Sequence, residues 1–458
     1  MIDDALFSPR SVAIVGATPD PKKRGNSTIR FLERAGFPGA IYPVNPKYQA
    51  VGQYKCYAAL NEISGPADHV VCCLPAHSVP ALAQECVANR VKLLHVYSAG
   101  FSETRIPERQ VVNIVRQGGV RLLGPNCMGV YRPAAGLAFN THSPKESGAV
   151  SVISQSGGNG SDLGRMASVR GLRMNKMISY GNAADINETE LLDFLGCDPG
   201  TSVIGAFIEG VKEMPAFHKA LSVVSRSKPV VIVKGGITEA GARAVAAHTG
   251  AVASREAWDG VWKHTKALPV GNMEELMDVL LAFQSLRVPA GRNAGVIGIG
   301  GGDAIQAADD LEMAGLKVPA LAQETQAALR EFTPLPGTSV DNPLDLNVMR
   351  RGSELQRILQ LTASEDAIHI LIVVLRVDQT LGSPKGEQTF FQMIDAVAQF
   401  HAVCPKPMVI VARALGSLES FAVALKLQER FDRIGVPVYP SITRTAHALG
   451  KFMRYVAP

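Results

Sequence analysis

The chain has 458 residues, of which 47% are hydrophobic and 19% charged, and its formal net charge is +5. That length accommodates roughly two to four domains with substantial cores, and the composition is typical of a globular α/β protein. The positive charge is mild and forms no block of Lys and Arg, which argues against nucleic-acid binding and favours small polyanionic ligands. No apolar run approaches the roughly 18 residues of a membrane span.

The seven cysteines form no CxxC pair and fall mostly in predicted strands and helices. This pattern is typical of a reduced, intracellular protein with neither a disulfide framework nor a metal site. Met1–Arg10 does not have the layout of a signal peptide. We therefore expect a cytoplasmic chain without a metal centre.

Residues 1–145 alternate short apolar runs with helical patterns, which predicts a Rossmann-like, doubly wound parallel sheet. In such a sheet the ligand lies at the carboxyl ends of the strands. The predicted strands are Ser11–Gly16, Ala40–Val44, Asp68–Leu74, Lys92–Ser98 and Arg121–Leu123.

The segments that follow these strands indicate a phosphate-rich ligand. The first strand continues into GATPDPKKRGNS, a basic loop without the GxGxxG spacing of a dinucleotide site. The second is followed by YPVNPKY, where Lys47 stands in place of the acid that would hold an NAD ribose. We expect a ligand with one more phosphate than NAD. The alternative is that the prolines only form turns and that Lys47 is an ordinary surface lysine. The later exits are LPA, YSAGF and GPNCMG, and Cys127 in the last is either a buried hydrophobe or a ligand-facing residue.

Residues 146–288 form a second predicted α/β unit. The strand AVSVIS leads into the glycine-rich turn QSGGNG and a helix over Ser161–Arg170. A helix that begins on small residues leaves backbone N–H groups free to bind an anion. The further predicted strands are Asn175–Tyr180, Ser202–Ile208 and Pro229–Lys234, and a helix over about Met273–Leu286 closes the unit.

His248 lies in a stretch unlike the rest of the chain. Lys234–Ser254, KGGITEAGARAVAAHTGAVAS, follows an apolar strand and surrounds one histidine with small residues. The shortage of large apolar side chains predicts a loop rather than a core element. A histidine in such a loop can be approached by a bulky charged group, or it can cap the backbone.

Residues 293–458 repeat the second unit after the linker VPAGRN. SVISQSGG from Ser151 aligns with GVIGIGGG from Gly295, and KPVVIV from Lys228 recurs as KPMVIV from Lys406. The repeat predicts two flavodoxin-like domains related by internal duplication. The copy has no histidine stretch, so we expect the chemistry in the second unit. A further hypothesis is that the two glycine turns point two helix N-termini at one phosphate.

Together these motifs resemble the α subunit of the NDP-forming acyl-CoA synthetases, a family that includes succinyl-CoA synthetase and ADP-forming acetate–CoA ligase. The resemblance runs nearly end to end through SVAIVGAT, YPVNPKY, YSAGF, GPNCMG, SQSGG, SYGN, FIEGV and EAGARAVAAHTGA. It implies that a nucleotide on an ATP-grasp subunit phosphorylates a histidine of this chain. The phosphoryl group would then pass to a small carboxylic acid, and the thiol of coenzyme A would attack the acyl phosphate.

The resemblance also implies the site residues. His248 would be the phosphorylated histidine and Glu209 the carboxylate that orients it, an arrangement that suits an imidazole nucleophile. Two glycine turns would hold the phosphoryl group: Ser156, Gly157 and Gly158, and, in the copy, Gly300, Gly301 and Gly302. Coenzyme A would occupy the first domain, against Gly16, Ala17, Thr18, Arg24, Gly25, Asn26, Asn45, Lys47, Pro75, Tyr97, Ser98, Ala99, Asn126 and Cys127.

The sequence contains no P-loop, and no ATP-grasp module follows the third unit. The resemblance therefore implies a separate ATP-grasp β subunit that carries Mg-ATP or ADP, in an αβ or α2β2 assembly. Family members often have Arg at Gly236 or Ile237, Ser at Ala247, and Thr-Asn at Gly298 and Ile299. These differences bear on phosphate affinity and on the choice of acid. The identity of the acid, ADP or GDP specificity and the direction of the reaction are not encoded in these motifs.

Two other functions share parts of the pattern. A non-catalytic sensor of CoA or acyl-CoA would keep the scaffold without a nucleotide module, but it would not need both His248 and Glu209. An NAD-dependent oxidoreductase is indicated by the first sheet alone, and the absent GxGxxG and ribose-binding acid argue against it. The sequence as a whole favours an acid–thiol ligase.

Overall fold

The computed structural model describes residues 2–101, 108–248, 255–333, 337–346, 352–381 and 386–456. The chain divides into two compact units, Met1–Ser168 with Arg173–Leu276, and Val169–Leu172 with Met277–Pro458. The first unit contains two largely parallel sheets and the second contains one. The predicted α/β class is therefore confirmed, whereas the domain boundaries at 145, 288 and 293 stay predictions.

The first sheet forms from the apolar runs near the N-terminus, and its strands are buried because helices cover both faces. Its elements are β1 (Ser11–Val15), α1 (Arg24–Ala35), β2 (Ala40–Val44), the short hairpin of β3 (Ala50–Val51) and β4 (Tyr54–Lys55), β5 (His69–Cys72), α2 (Val79–Ala88), β6 (Leu93–Val96), α3 (Glu108–Gln117) and β7 (Arg121–Leu123). The strands are parallel in the order β2-β1-β5-β6-β7. The order reverses between β1 and β5, so the crevice of a doubly wound sheet opens at their carboxyl ends.

The second sheet has the order β13-β12-β11-β9-β10-β8, in which β8 is an antiparallel edge strand. Its elements are β8 (Gly129–Tyr131), β9 (Ser147–Ser154), α4 (Gly157–Arg170), β10 (Met174–Ser179), α5 (Glu188–Cys197), β11 (Val203–Ile208), α6 (Met214–Ser227), β12 (Val230–Lys234), α7 (Glu239–His248), α8 (Arg255–His264), β13 (Leu268–Val270) and α9 (Met273–Ser285). The predicted strands and the closing helix are present within a few residues of their expected bounds.

A buried carboxylate joins the two sheets of the first unit. Asp185, from the loop before α5, is 1% exposed and accepts hydrogen bonds from Arg116, Arg121 and the backbone N–H of Leu122. Burial by itself raises the pKa of Asp185, but the hydrogen bonds from Arg121 and Leu122 outweigh it and the pKa is lowered. Since these donors lie at the end of α3 and the start of β7, the ionised carboxylate ties the loop before α5 in the second sheet to the first sheet.

The third sheet, in the second unit, has the order β15-β14-β16-β17-β18. Its elements are β14 (Ala294–Ile299), α10 (Gly301–Met313), α11 (Gln323–Arg330), β15 (Leu344–Asp345), α12 (Gly352–Ser364), β16 (Ile370–Arg376), α13 (Val377–Leu381), α14 (Gly386–Val403), β17 (Met408–Arg413), α15 (Leu418–Arg433), β18 (Val438–Tyr439) and α16 (Ile442–Val456). Counted along the chain, its parallel strands follow the same 2-1-3-4-5 order as those of the second sheet. The predicted pair of flavodoxin-like units is therefore confirmed. Within the described residues, no helix is both long and apolar enough to cross a membrane.

Candidate active site

The loop between β1 and α1 folds tightly over the carboxyl ends of neighbouring strands. Gly16 has a φ of +90°, and its N–H donates to the carbonyl of Val44 at 3.0 Å. A side chain at Gly25 would overlap with the carbonyl oxygen of Gly16, so the start of α1 packs directly against the loop. The loop and a helix N-terminus therefore meet at the crevice, where the sequence predicts the phosphates of coenzyme A. Ala17 and Thr18, which complete this turn, are buried.

Two predicted ligand residues hold this loop in place. The Asn45 side-chain amide donates to the carbonyl of Ala17 at 2.7 Å, and that of Asn26 donates to the carbonyl of Thr18 at 3.0 Å. Both amides therefore shape the loop from behind. Lys47 and Pro75 are exposed after β2 and β5, the two strands that flank β1, on the same edge of the sheet.

Arg24 is partly buried and stacks on an aromatic ring. Its guanidinium carbon lies 3.9 Å from the ring centroid of Tyr97, and it lines a small cavity of about 30 Å³ beside His69 and His95. Burial lowers the pKa of Arg24. No carboxylate among the described residues pairs with it. In this arrangement Arg24 supports the ring of Tyr97, one of the residues predicted to line the pantetheine arm.

A cavity of about 420 Å³ lies between the carboxyl edges of the two sheets of the first unit. The residues that line it are Tyr97, Ser98, Ala99, Asn126, Cys127, Met128, Gln155, Ser156, Gly157 and Gly158. The cavity thus brings the residues predicted for the arm and thiol of coenzyme A together with the first predicted phosphate turn. Met128 and Gln155 were not among the predicted site residues, although each stands inside a quoted motif, GPNCMG or SQSGG.

The cavity wall from the first sheet is held by its own hydrogen bonds. The Ser98 hydroxyl donates to the carbonyl of Leu74, and the N–H of Asn126 donates to the carbonyl of Ser98 at 3.0 Å. Asn126 has a φ of +58°, a left-handed conformation that asparagine tolerates better than most residues. The segment that contains Asn126 packs closely on Gly181. A side chain at Gly181 would overlap with the carbonyl oxygen of Pro125.

Cys127 is 3% exposed, and burial raises the pKa of its thiol well above the ordinary value. The thiol therefore stays protonated at neutral pH. The structure reconciles the two roles considered for this residue, because Cys127 is a buried small side chain that also forms part of the cavity wall.

The phosphate turn of the second sheet differs from the prediction in one respect. Helix α4 begins at Gly157, so GGNG belongs to the helix rather than to a turn that ends before Ser161. Ser156 supplies the reason, because its hydroxyl accepts the N–H of Asn159 at 3.3 Å and its carbonyl accepts the N–H of Gly160 at 3.1 Å. The first residues of α4, Gly157 and Gly158, line the cavity, so the positive end of the helix dipole faces it.

Glu209 follows β11 and is 8% exposed. Its N–H donates to the side-chain oxygen of Gln155 at 2.8 Å, and its carbonyl accepts from the Lys234 ammonium at 2.9 Å. Burial lowers the pKa of Lys234, while the charge of Glu209 opposes that shift. Gln155 and Lys234 therefore hold the backbone of Glu209 from both sides. Sequence reasoning missed both residues, because the contacts depend on the register between β9, β11 and β12.

A second buried carboxyl group, that of Glu188, acts together with Glu209 on the hydroxyl of Tyr180. Glu188 is 2% exposed, and burial raises its pKa. The hydroxyl of Tyr180, also buried, has no hydrogen-bond partner among the described residues, and burial together with the charges of Glu188 and Glu209 raises its pKa. The surroundings of Glu209 are therefore poorly hydrated, which strengthens its electrostatic interactions.

The prediction of a loop around His248 is wrong for most of its length, because Glu239–His248 forms helix α7. The segment is rich in alanine, the best helix former, and Thr238 caps it by accepting the N–H of Gly241 at 3.1 Å. Exposed residues such as Glu239 and Arg243 account for the lack of large apolar side chains. His248 is the last residue of α7, and residues 249–254 lie outside the described part of the chain. Its pairing with Glu209 stays a prediction.

The glycine turn of the third sheet lies in the second compact unit. Gly300 is the N-cap of α10, which begins at Gly301, and Gly302 is exposed in the first turn. A side chain at Gly300 would contact the guanidinium of Arg376, and Arg413 forms an ion pair with Asp303 on the same helix. The convergence of the two glycine turns on one phosphate stays a prediction.

Comparison with known proteins identifies the family. Residues 10–133 match the CoA binding domain model, and residues 147–283 match the succinyl-CoA ligase like flavodoxin domain model. The acetate–CoA ligase [ADP-forming] II subunit alpha of Pyrococcus furiosus is 30% identical over 97% of each chain. Acetate–CoA ligase [ADP-forming] I of Archaeoglobus fulgidus is 31% identical over 88% of this chain and 58% of its own length. A solved structure of Ca. Korarchaeum cryptofilum dinucleotide-forming acetyl-coenzyme A synthetase 1 with phosphate and ADP superposes with a TM-score of 0.84 and 29% identity, covering 99% of this chain and 96% of that one. The resemblance seen in the motifs is confirmed, and the chain belongs to the NDP-forming acyl-CoA synthetase family, on its α-subunit side.

Proposed function

We propose that this chain is the catalytic α subunit of an ADP-forming acid–CoA ligase, which interconverts a carboxylic acid, coenzyme A and ATP with acyl-CoA, ADP and phosphate. The observation that carries the proposal is the cavity of about 420 Å³, in which the predicted CoA-arm residues and the N-terminus of α4 share one space. An acyl group that moves from phosphate to thiol needs both sites within reach of each other.

The reaction would proceed in three displacements. A nitrogen of the His248 imidazole attacks the terminal phosphorus of ATP, and ADP leaves. A carboxylate oxygen of the acid then attacks the phosphorus of phosphohistidine, so that the N–P bond breaks and an acyl phosphate forms. Finally the sulfur of coenzyme A attacks the acyl carbonyl and inorganic phosphate leaves, while the thiol proton passes to solvent.

Specific residues suit these steps. The N–H groups at Ser156, Gly157 and Gly158 begin a helix of 14 residues, and they would hold the phosphoryl oxygens by hydrogen bonds and by the helix dipole. Glu209 would orient the imidazole and offset the positive charge that develops on it. The Gly16 loop and the start of α1 would hold the phosphates of coenzyme A.

We infer that an ATP-grasp β subunit supplies Mg-ATP, in an αβ or α2β2 assembly. The P. furiosus relative is itself named an alpha subunit. The A. fulgidus relative is longer, and the match to this chain covers 58% of it. Both relatives are compatible with an active enzyme that requires a further module, either on a separate chain or fused.

The test is the intact mass of the chain after incubation with an ATP-grasp partner and Mg-ATP. The proposal predicts an acid-labile gain of one phosphoryl group in the wild type and none in His248→Ala. Coenzyme A titration of both proteins serves as the control for folding. Bound coenzyme A without any phosphorylation would instead support the CoA sensor.

A second assay does not depend on the partner. Phosphoramidate transfers a phosphoryl group to imidazole with loss of ammonia, and it should label the wild type at His248 but not His248→Ala. Absence of the His248-dependent label would count against the phosphohistidine mechanism.

A further inference from the structure

Gln155 is the first of the two residues between the end of β9 and the start of α4, and it is 4% exposed. Its side-chain oxygen accepts the N–H of Glu209 at 2.8 Å and the N–H of Gly210 at 3.0 Å. Backbone N–H groups can only donate, so the atom that faces them must be the amide oxygen. The orientation of the Gln155 amide is therefore determined by its surroundings.

The amide nitrogen of Gln155 consequently points away from Glu209. It has no hydrogen-bond partner among the described residues, and it is not among their buried, unsatisfied atoms. Gln155 lines the cavity of about 420 Å³ next to Ser156, Gly157 and Gly158. Two N–H donors are therefore available to a ligand at the N-terminus of α4, and an anion with several acceptor oxygens is the natural partner.

The duplicated unit lacks this arrangement. The repeat places Ile299 at the position of Gln155. Ala206 pairs with Ile153 as Val373 pairs with Ile297, which puts Arg376 at the position of Glu209. Gln155 and Glu209 are therefore both confined to the unit that carries His248.

We propose that Gln155 acts twice in the phosphoryl transfer. Its oxygen holds the backbone of Glu209, and its NH2 group donates to an oxygen of the phosphoryl group as this group moves between His248 and the acid. This inference rests on the proposed function and adds a catalytic residue to it. A preorganised donor of this kind is worth about 10²–10³-fold in rate.

The test compares two substitutions in the full chain, with phosphoramidate as the phosphoryl donor and acid-labile mass gain as the readout. Gln155→Glu keeps an acceptor for Glu209 and Gly210 but removes the donor and adds a negative charge. Gln155→Met removes both the donor and the amide oxygen without adding charge. We expect both variants to label at least about 10²-fold more slowly than the wild type, because both lose the NH2 group. The dissociation constant of coenzyme A should be unchanged within a factor of about two.

Asn187→Asp is the matched control. The Asn187 side-chain oxygen accepts the N–H groups of Thr189 and Glu190, each at 3.0 Å, so the same change of amide to carboxylate is made on a similar pair of hydrogen bonds outside the cavity. This variant should label at the wild-type rate.

The possible results separate the two proposals. Wild-type labelling rates in Gln155→Glu or in Gln155→Met would overturn the role of Gln155 as a donor while leaving the phosphohistidine mechanism intact. A loss in Gln155→Met accompanied by weaker coenzyme A binding would also overturn it, because the residue would then be structural. Failure of the wild type to label at His248 would count against the proposed function itself.

Discussion

The second and third sheets share a strand order and a packing contact, but they differ in the residues at the carboxyl ends of their strands. In both, a lysine before the fourth strand holds the end of a preceding helix: Lys228 donates to the carbonyls of Leu195 and Asp198, at 2.9 and 2.6 Å, and Lys406 donates to that of Glu365 at 2.6 Å. Burial lowers the pKa of both lysines, which indicates similar surroundings.

The carboxyl edges of the same two sheets differ. Gln155, Glu209 and Lys234 in the second sheet correspond to Ile299, Arg376 and Ala412 in the third. A hydrogen-bonded cluster with one carboxylate and one ammonium in the second sheet therefore corresponds to a single guanidinium, that of Arg376, in the third. The two copies therefore share packing residues and differ at the strand ends, where we propose that the second sheet carries the chemistry.

The largest effect is expected when Glu209 of the second sheet is replaced by arginine, the residue at the equivalent position 376 of the third sheet. Glu209→Arg should slow His248 phosphorylation by at least about 10²-fold, because the positive charge would oppose the imidazole that Glu209 is proposed to orient. Glu209→Gln, which keeps the size without the charge, should fall between this variant and the wild type. The measurement is the rate of acid-labile mass gain, and equal rates in all three proteins would remove Glu209 from the mechanism.

A smaller effect is expected from Lys234→Ala, which copies Ala412. The variant loses the hydrogen bond from the ammonium to the carbonyl of Glu209, as well as the contact with the Trp258 ring at 5.6 Å. We expect phosphorylation about tenfold slower and unfolding easier by about 1–2 kcal/mol. The phosphorylation rate is measured by the time course of acid-labile mass gain, and the free energy of unfolding by urea denaturation. A loss of stability with an unchanged rate would restrict Lys234 to a structural role.

The shared lysines provide the converse test. Lys228→Met and Lys406→Met should each cost about 1–3 kcal/mol, because each leaves partly buried helix-end carbonyls without their donor. Hydrogen exchange should localise the loss to the end of α5 in the first variant and to the end of α12 in the second. A large loss in one variant alone would show that the two copies no longer use the lysine in the same way.

The smallest effect concerns pH and separates the two compact units. In the first unit, burial by itself raises the pKa of Asp68, but the hydrogen bonds from Arg10 and Lys92 outweigh it and lower the pKa to about 2. A carboxyl group with a depressed pKa stabilises the fold above its unfolded value near 4, and this contribution is lost as the pH falls toward about 2. Since Arg10 is largely exposed, we expect about 1–2 kcal/mol. Asp68→Asn should remove that part of the acid sensitivity in hydrogen exchange at the first sheet and leave the third sheet unaffected.

Most strands of the first two sheets were predictable from sequence because buried parallel strands are short apolar runs with glycine or proline at their exits. In the third sheet the repeat indicated β14 and β17. Strand β16 and the edge strands of the second and third sheets, β8, β13, β15 and β18, were not predicted. The sequence predicted a loop where α7 forms, because an exposed, alanine-rich helix lacks the apolar stripe by which helices are recognised. An exposed helix needs no such stripe.

The site was only partly predictable for a different reason. Motifs identified the strand exits that meet in the cavity, since parallel strands end at the same edge. The roles of individual side chains depend on register and depth. Asn26 and Asn45 hold the loop after β1, and Arg24 stacks on Tyr97. Gln155 reaches across to Glu209. Such contacts between residues far apart in sequence leave no periodic signal in a single chain.

The burial of Cys127 has a consequence for the redox behaviour of the site. The thiol lies in the wall of the space proposed for the reactive end of coenzyme A. Thiol–disulfide exchange requires a thiolate, and the raised pKa of Cys127 keeps the thiolate population very small at neutral pH. We therefore expect Cys127 to exchange only slowly with a disulfide that enters this cavity, such as that of oxidised coenzyme A.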